Sequence, residues 1–240
     1  MKDPIISNFG AELMPLYQQL EEEVSAIIKG GNYKFVAQWG RHYPYNNNQG
    51  LLFVGRATNT WQYINTVIDD MFGPPDNDVT LFNRDDQMNW VYRDWQSHAH
   101  RSAFWRVILG VARKYYPIDQ ALEYVAWSNI CKIQAANGKN PYGHLFDKQI
   151  GICNSISAVE LKYLSPRFVI LFTGGYGERE FLSFLSGGYM PNPLETYTWC
   201  GFPIDVYEIN GILFLCTEHP MRKPESPHIE CLSTIINKYW

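Results

Sequence analysis

His219, held by the following Pro220 at the end of an apolar run, is the side chain in this sequence best suited to chemistry. A histidine in that setting can donate a hydrogen bond to an oxygen that is gaining negative charge. The plainer reading is a turn histidine with its own hydrogen bonds satisfied. Asn129 ends another apolar run, and its amide can satisfy backbone groups or pair in register with the edge of a nucleobase. A third run leads into Gly55-Arg56-Ala57-Thr58-Asn59. That stretch lacks the Gly-Lys-Ser/Thr ending of a Walker loop and is not a G-x-G-x-x-G fingerprint. By itself it reads as a strand-to-helix turn in which Gly55 relaxes the backbone and Thr58 or Asn59 caps the helix. Thr173-Gly174-Gly175 reads as a similar turn rather than a phosphate cradle. His98, His100 and Arg101 have no metal-ligand company and read as a solvated loop.

The elements that position these residues are the runs themselves. Leu51–Val54, Tyr124–Trp127, Phe168–Phe172 and Ile212–Cys216 are continuous apolar stretches, as expected of parallel strands buried on both faces. Ligands of open α/β sheets lie outside the carboxyl ends of such strands. Asn59, Asn129 and His219 are therefore expected to converge on one cleft. Helices are expected over 11–29, 147–164 and 178–185. Another is expected to begin within 61–68 and to end at Gly73-Pro74-Pro75, and Ser102 is expected to cap one with a face of Trp105, Ile108, Leu109, Ala112 and Tyr116. Asn210-Gly211 signals a tight hairpin, so one antiparallel strand precedes the last core strand. Residues 76–100 lack periodicity and carry Arg84, Trp90, Tyr92, Arg93 and Trp95, and the Arg- and Trp-rich segment 84–106 reads as a nucleic-acid surface or a partner interface.

At 240 residues the chain is expected to form one domain, 1–240, with 1–50 as an N-terminal helical extension. The net charge of -4 gives no global basic footprint, which counts against tight non-specific DNA binding but leaves room for a local basic patch. Aromatic residues make up 15%, enough for a ring-rich core or for rings that line a cleft and stack flat ligands. The five cysteines are odd in number and form no C-x-x-C pair, which points to a reducing, cytoplasmic setting without disulfides or zinc. No segment is long and apolar enough to suggest a membrane span or a signal peptide.

In order and placement these segments resemble the uracil-DNA glycosylase superfamily. Gly55-Arg56-Ala57-Thr58-Asn59 holds the place of the family's Gly-led turn after the first core strand, often Gly-x-Asn-Pro-Gly or Gly-Gln-Asp-Pro. Trp127-Ser128-Asn129-Ile130-Cys131-Lys132, with later Asn140-Pro141, is similar to the family's strand ending in a base-reading Asn. Phe168–Gly174 matches its third strand and small-residue turn, and His219-Pro220-Met221-Arg222 holds the place of its His-Pro-Ser-Pro segment. The resemblance covers residues 51 to about 230.

The resemblance implies a three-layer α/β/α sandwich around a mostly parallel sheet of about four strands. It implies a DNA glycosylase-like hydrolase of DNA repair, acting on a uracil-type or other damaged or mispaired base without metal or cofactor. In that scheme His219 and Asn59 are catalytic, Asn129 reads the base, and Trp61 or Tyr63 stacks on it. Gly55, Arg56, Thr58 and Lys132 line the substrate, and Arg222 contacts phosphate. Two departures matter. Ala57 stands where the family has the Asn or Asp that positions water, and Met221 stands for the serine of His-Pro-Ser-Pro. Ala57 and the acidic charge favour a non-catalytic nucleobase, nucleotide or nucleic-acid binder of the same fold. A third reading is a serine hydrolase using Ser128 or Thr58 with His219, without a Gly-x-Ser-x-Gly elbow to support it.

Overall fold

A computed structural model describes residues 4–45, 48–58, 64–73, 82, 88, 91 and 99–240, with the side chains of 4–6 left out. The four apolar runs form β3 (Gly50–Gly55), β4 (Val125–Asn129), β6 (Pro166–Phe172) and β9 (Ile212–Thr217), mostly buried along their length. They pair in parallel in the order β4-β3-β6-β9. The short strand β2 (Gln38–Trp39) adds antiparallel to β4 at one edge. At the other edge, β8 (Phe202–Ile209) pairs antiparallel with β9, and β7 (Glu195–Trp199) with β8. The result is an α/β fold around a seven-stranded mixed sheet with a parallel centre.

Side chains alternate between the faces of a strand, and helices meet both faces. On one face Phe172 packs against Phe104 of α3 (Ala103–Ala112), and Thr217 bonds His228 of α6 (Glu225–Tyr239). On the other face Ser128 bonds Glu160 of α4 (His144–Leu164), and Phe214 packs against Phe181 of α5 (Glu178–Leu185). The first helix, α1 (Pro4–Ser25), lies along α4 and buries Leu13, Tyr17, Leu20 and Val24, a helical-period stripe.

The Asn210-Gly211 hairpin is present, with both residues at positive φ (53° and 78°), as a type I′ turn requires. Three expectations change. The first fifty residues hold more than a helix: β1 (Asn32–Lys34) pairs with β5 (Ile133–Ala135), and β2 joins the main sheet. The helix expected to begin within 61–68 starts late: Ile64 makes an isolated antiparallel bridge to Tyr33, and among the described residues of that stretch the helical ones are Ile68–Met71 (α2), which end before Gly73 as expected. Ser102 does occupy the position before α3, but its side chain makes no capping bond.

Candidate functional site at the carboxyl ends of the parallel strands

The first core strand, β3, has the second, β4, on one side and the third, β6, on the other. The winding direction therefore reverses between β3 and β6, and the crevice at the carboxyl ends of these strands is the binding position of an open α/β sheet. Five stretches meet around it: Gly55–Thr58, Asn129, Thr173–Gly175, Glu218–His219 and the first turn of α3.

Gly55 and Asn129 are register partners. A Cβ on Gly55 would fall 2.4 Å from the Asn129 Oδ1, so the buried amide lies directly over the glycine. Gly55 thus fits its site by lacking a side chain rather than by an unusual backbone angle. We expect Gly55→Ala to push the amide aside, lowering the urea midpoint by an amount equivalent to about 1–3 kcal/mol. The Asn129 side-chain amide resonances should shift in the same variant, and unchanged resonances would show that the amide is not seated there.

The Arg56 Nε donates to the Thr173 carbonyl at 2.6 Å, linking the ends of β3 and β6. Thr58 is buried and donates to the Gln134 side-chain oxygen, so it braces the turn. Ala57 is also buried and presents a methyl group.

His219 accepts the Met221 backbone N–H at Nδ1, 3.2 Å. That bond needs the Nδ1 lone pair, which leaves the proton of the neutral ring on Nε2. Burial pushes its pKa down to about 4, and the charges of Arg56 and Lys223 add to the shift, partly offset by Glu218. The ring is therefore neutral at physiological pH and a hydrogen-bond donor through Nε2. Phe104 lies nearly parallel to it, with centroids 6.0 Å apart. Lys223 donates to the His219 carbonyl at 3.1 Å and pairs with Glu218 at 3.4 Å, holding the loop, while Arg222 is exposed at φ 61°.

The Thr173–Gly175 turn is not a phosphate cradle. The Glu178 carboxylate accepts the Thr173 hydroxyl and the Gly175 N–H, occupying the position an anion would take. Gly174 N–H bonds the Thr217 carbonyl. Burial raises the Glu178 pKa against these hydrogen bonds.

Behind the site, the Thr217 hydroxyl oxygen accepts Trp199 Nε1–H at 3.2 Å and meets His228 Nε2 at 3.1 Å. Trp199 stacks on His228 at 3.8 Å. His228 is fully buried, its Nδ1 has no partner among the described residues, and burial pushes its pKa to about 3. The unfolded chain takes up this proton near pH 6.5. Between there and about pH 3 the unfolded state binds more protons, so stability rises with pH and falls on acidification. We expect His228 to contribute a slope of up to about 1.4 kcal/mol per pH unit in that window. Urea midpoints of His228→Phe measured from pH 7 to 4 should show a flatter profile than those of the unaltered chain.

Lys132 is placed differently from its expected role beside substrate. It is fully buried, donating to both Glu160 oxygens (2.9 and 2.7 Å) and to Ser128 (2.7 Å) on the face of α4. Ser128 in turn donates to Glu160 at 2.6 Å. With Thr58 donating to Gln134, neither hydroxyl gives its proton to His219, and the serine-hydrolase reading lacks an activated nucleophile.

Asn59, Trp61 and Tyr63 lie outside the described residues, as does most of 76–98. Among the site residues that sequence reasoning missed, Glu218 had a signal, its place beside His219 after a strand. Phe104 had none, because its ring belongs to an apolar helix face like any other.

All five cysteines are free thiols. Among the described residues, no group of His, Cys, Asp and Glu side chains is placed to hold a metal ion, and no helix is long and apolar enough to cross a membrane. Compared with known proteins, the chain matches no family model and no curated protein.

Proposed function

We propose that this chain is a DNA glycosylase-like protein that hydrolyses the N-glycosidic bond of a uracil-type or other damaged or mispaired base. The fold read this way is the three-layer α/β/α sandwich of the uracil-DNA glycosylase kind. The observation that carries the proposal is the neutral His219 at the strand switch point, its proton fixed on Nε2. A base acted on in this way must leave the stack and enter a pocket. Asn129, seated over Gly55, pairs with its edge. As the bond from C1′ to the base nitrogen breaks, its electron pair leaves with the base. His219 Nε2–H donates to the base carbonyl oxygen where that charge collects. Water then adds to C1′ and loses a proton. Ala57 cannot orient that water, and Asn59 is the candidate for the task. Arg222, exposed beside the loop, serves as a phosphate contact.

Ala57 supports a second reading, a binder of nucleobases or nucleic acid that does not turn over. The test is base release from single-stranded and mismatched DNA carrying uracil, hypoxanthine or a thymine mispair, with binding measured on the same oligonucleotides. Release supports the glycosylase, and binding without release supports the binder. The absence of both would sink both.

A further inference from the structure

Arg56 occupies an unusual place for a surface-capable cation. Its Nε is anchored on the Thr173 carbonyl, and its terminal nitrogens make no hydrogen bond among the described residues. Gly174 is what makes room for it. A Cβ there would fall 2.9 Å from Arg56 Nη2 and 2.8 Å from Glu218 Oε2, and the glycine also sits at φ 56°. The guanidinium and the Glu218 carboxylate thus flank one bare stretch of backbone at the switch point, one residue from His219.

The surroundings decide which ligand group suits those unused donors. A phosphate dianion would set two negative charges against Glu218 and Glu178 with Arg56 alone to offset them, whereas an anionic base carries one charge spread over its ring. Phosphate would also find no amide cradle, because the N–H groups of Gly174 and Gly175 are bonded to Thr217 and Glu178. A neutral planar ring enters such a site without charge repulsion and gains attraction only as negative charge develops on it. Resting on the nucleobase reading above, we infer that Arg56 is the cation that meets the departing base and stabilises its anionic form, supplying electrostatic help that Ala57 cannot. The influence of the Arg56 charge on the His219 ring is consistent with the two acting on one ligand.

The test is binding of free uracil, hypoxanthine and thymine to the full chain, followed by calorimetry. It runs from neutral pH to alkaline conditions in which the free base has lost a ring proton. His219 stays neutral throughout. The unaltered chain should bind the deprotonated base about tenfold or more tightly than the neutral one, the margin expected of a charge-assisted hydrogen bond. Arg56→Gln should lose that preference, and Arg56→Lys, which keeps the charge without the fork, should retain part of it. Circular dichroism of each variant establishes that it is folded. An unchanged preference in Arg56→Gln would overturn the inference while leaving a base site standing. Arg56-dependent binding of inorganic phosphate without base binding would overturn it by reassigning the residue to a phosphate contact. If no free base binds the unaltered chain at any pH, the inference falls, and base release and oligonucleotide binding decide separately whether the nucleobase reading stands.

Discussion

Glu160→Ala should destabilise the chain by about 3–5 kcal/mol, the range for removing one partner of a buried ion pair. Lys132 has no exposed surface and donates three hydrogen bonds, two of them to Glu160. Without that carboxylate, an ammonium is left in the core with the Ser128 hydroxyl and the Phe35 ring beside it among the described residues, and the uncompensated charge accounts for most of the loss. Lys132→Met should be damaging for the mirror reason, leaving Glu160 buried with Ser128. The double variant Lys132→Met with Glu160→Leu should recover most of the stability, since a packed apolar pair of similar volume is often neutral or better than the ion pair. Urea unfolding of the four proteins gives the coupling directly. Additive losses in the double variant would show that the two side chains do not depend on each other. The same cycle separates structure from function, because a substrate-contacting Lys132 would cost base release even in the recovered double variant.

His219→Ala should lower single-turnover base release by about 10²–10³-fold, the usual effect of deleting one preorganised donor to a developing oxyanion. Binding of the intact substrate should change far less, because the donor matters most once charge has formed on the base. The pH profile supplies a readout that a purely structural histidine would not move. Release should hold from neutral pH down to about pH 4, where the ring gains its second proton. That proton must sit on Nδ1, which faces the Met221 N–H, so two donors then oppose each other and the loop must shift. Release should therefore fall below about pH 4, and this limb should be absent from the residual activity of His219→Ala. A loss of substrate affinity with the chemical step unchanged would instead place His219 in uniform binding.

Much of the site's framework is written locally. The four apolar runs read as buried strands from their length and flanking turn residues, and parallel pairing then brings the polar residues at their ends to one edge of the sheet. Asn210-Gly211 specified its turn because both residues tolerate positive φ. The helix Glu178–Leu185 likewise follows from its own apolar spacing. The β7–β8 hairpin was not legible. It closes through Cys200 and Gly201 at φ 48° and 85°, the same turn geometry carried by a cysteine that gives no turn signal. Strands β1, β2 and β5 are two or three residues long, too short to show a period.

The sequence by itself determined an α/β chain, where its core strands end, and which end residues are polar. Only the tertiary structure decided what those residues do. Lys132 reads as a ligand contact until Glu160, 28 residues on, is seen to hold it in the core. Arg56 reads as a turn residue until Thr173 and Gly174, more than a hundred positions away, are seen to anchor and admit it. The physical reason is that strand and turn preferences arise between near neighbours, whereas a charge takes its role from whichever partner the strand order brings within a few ångströms. Strand order is a property of the packed whole.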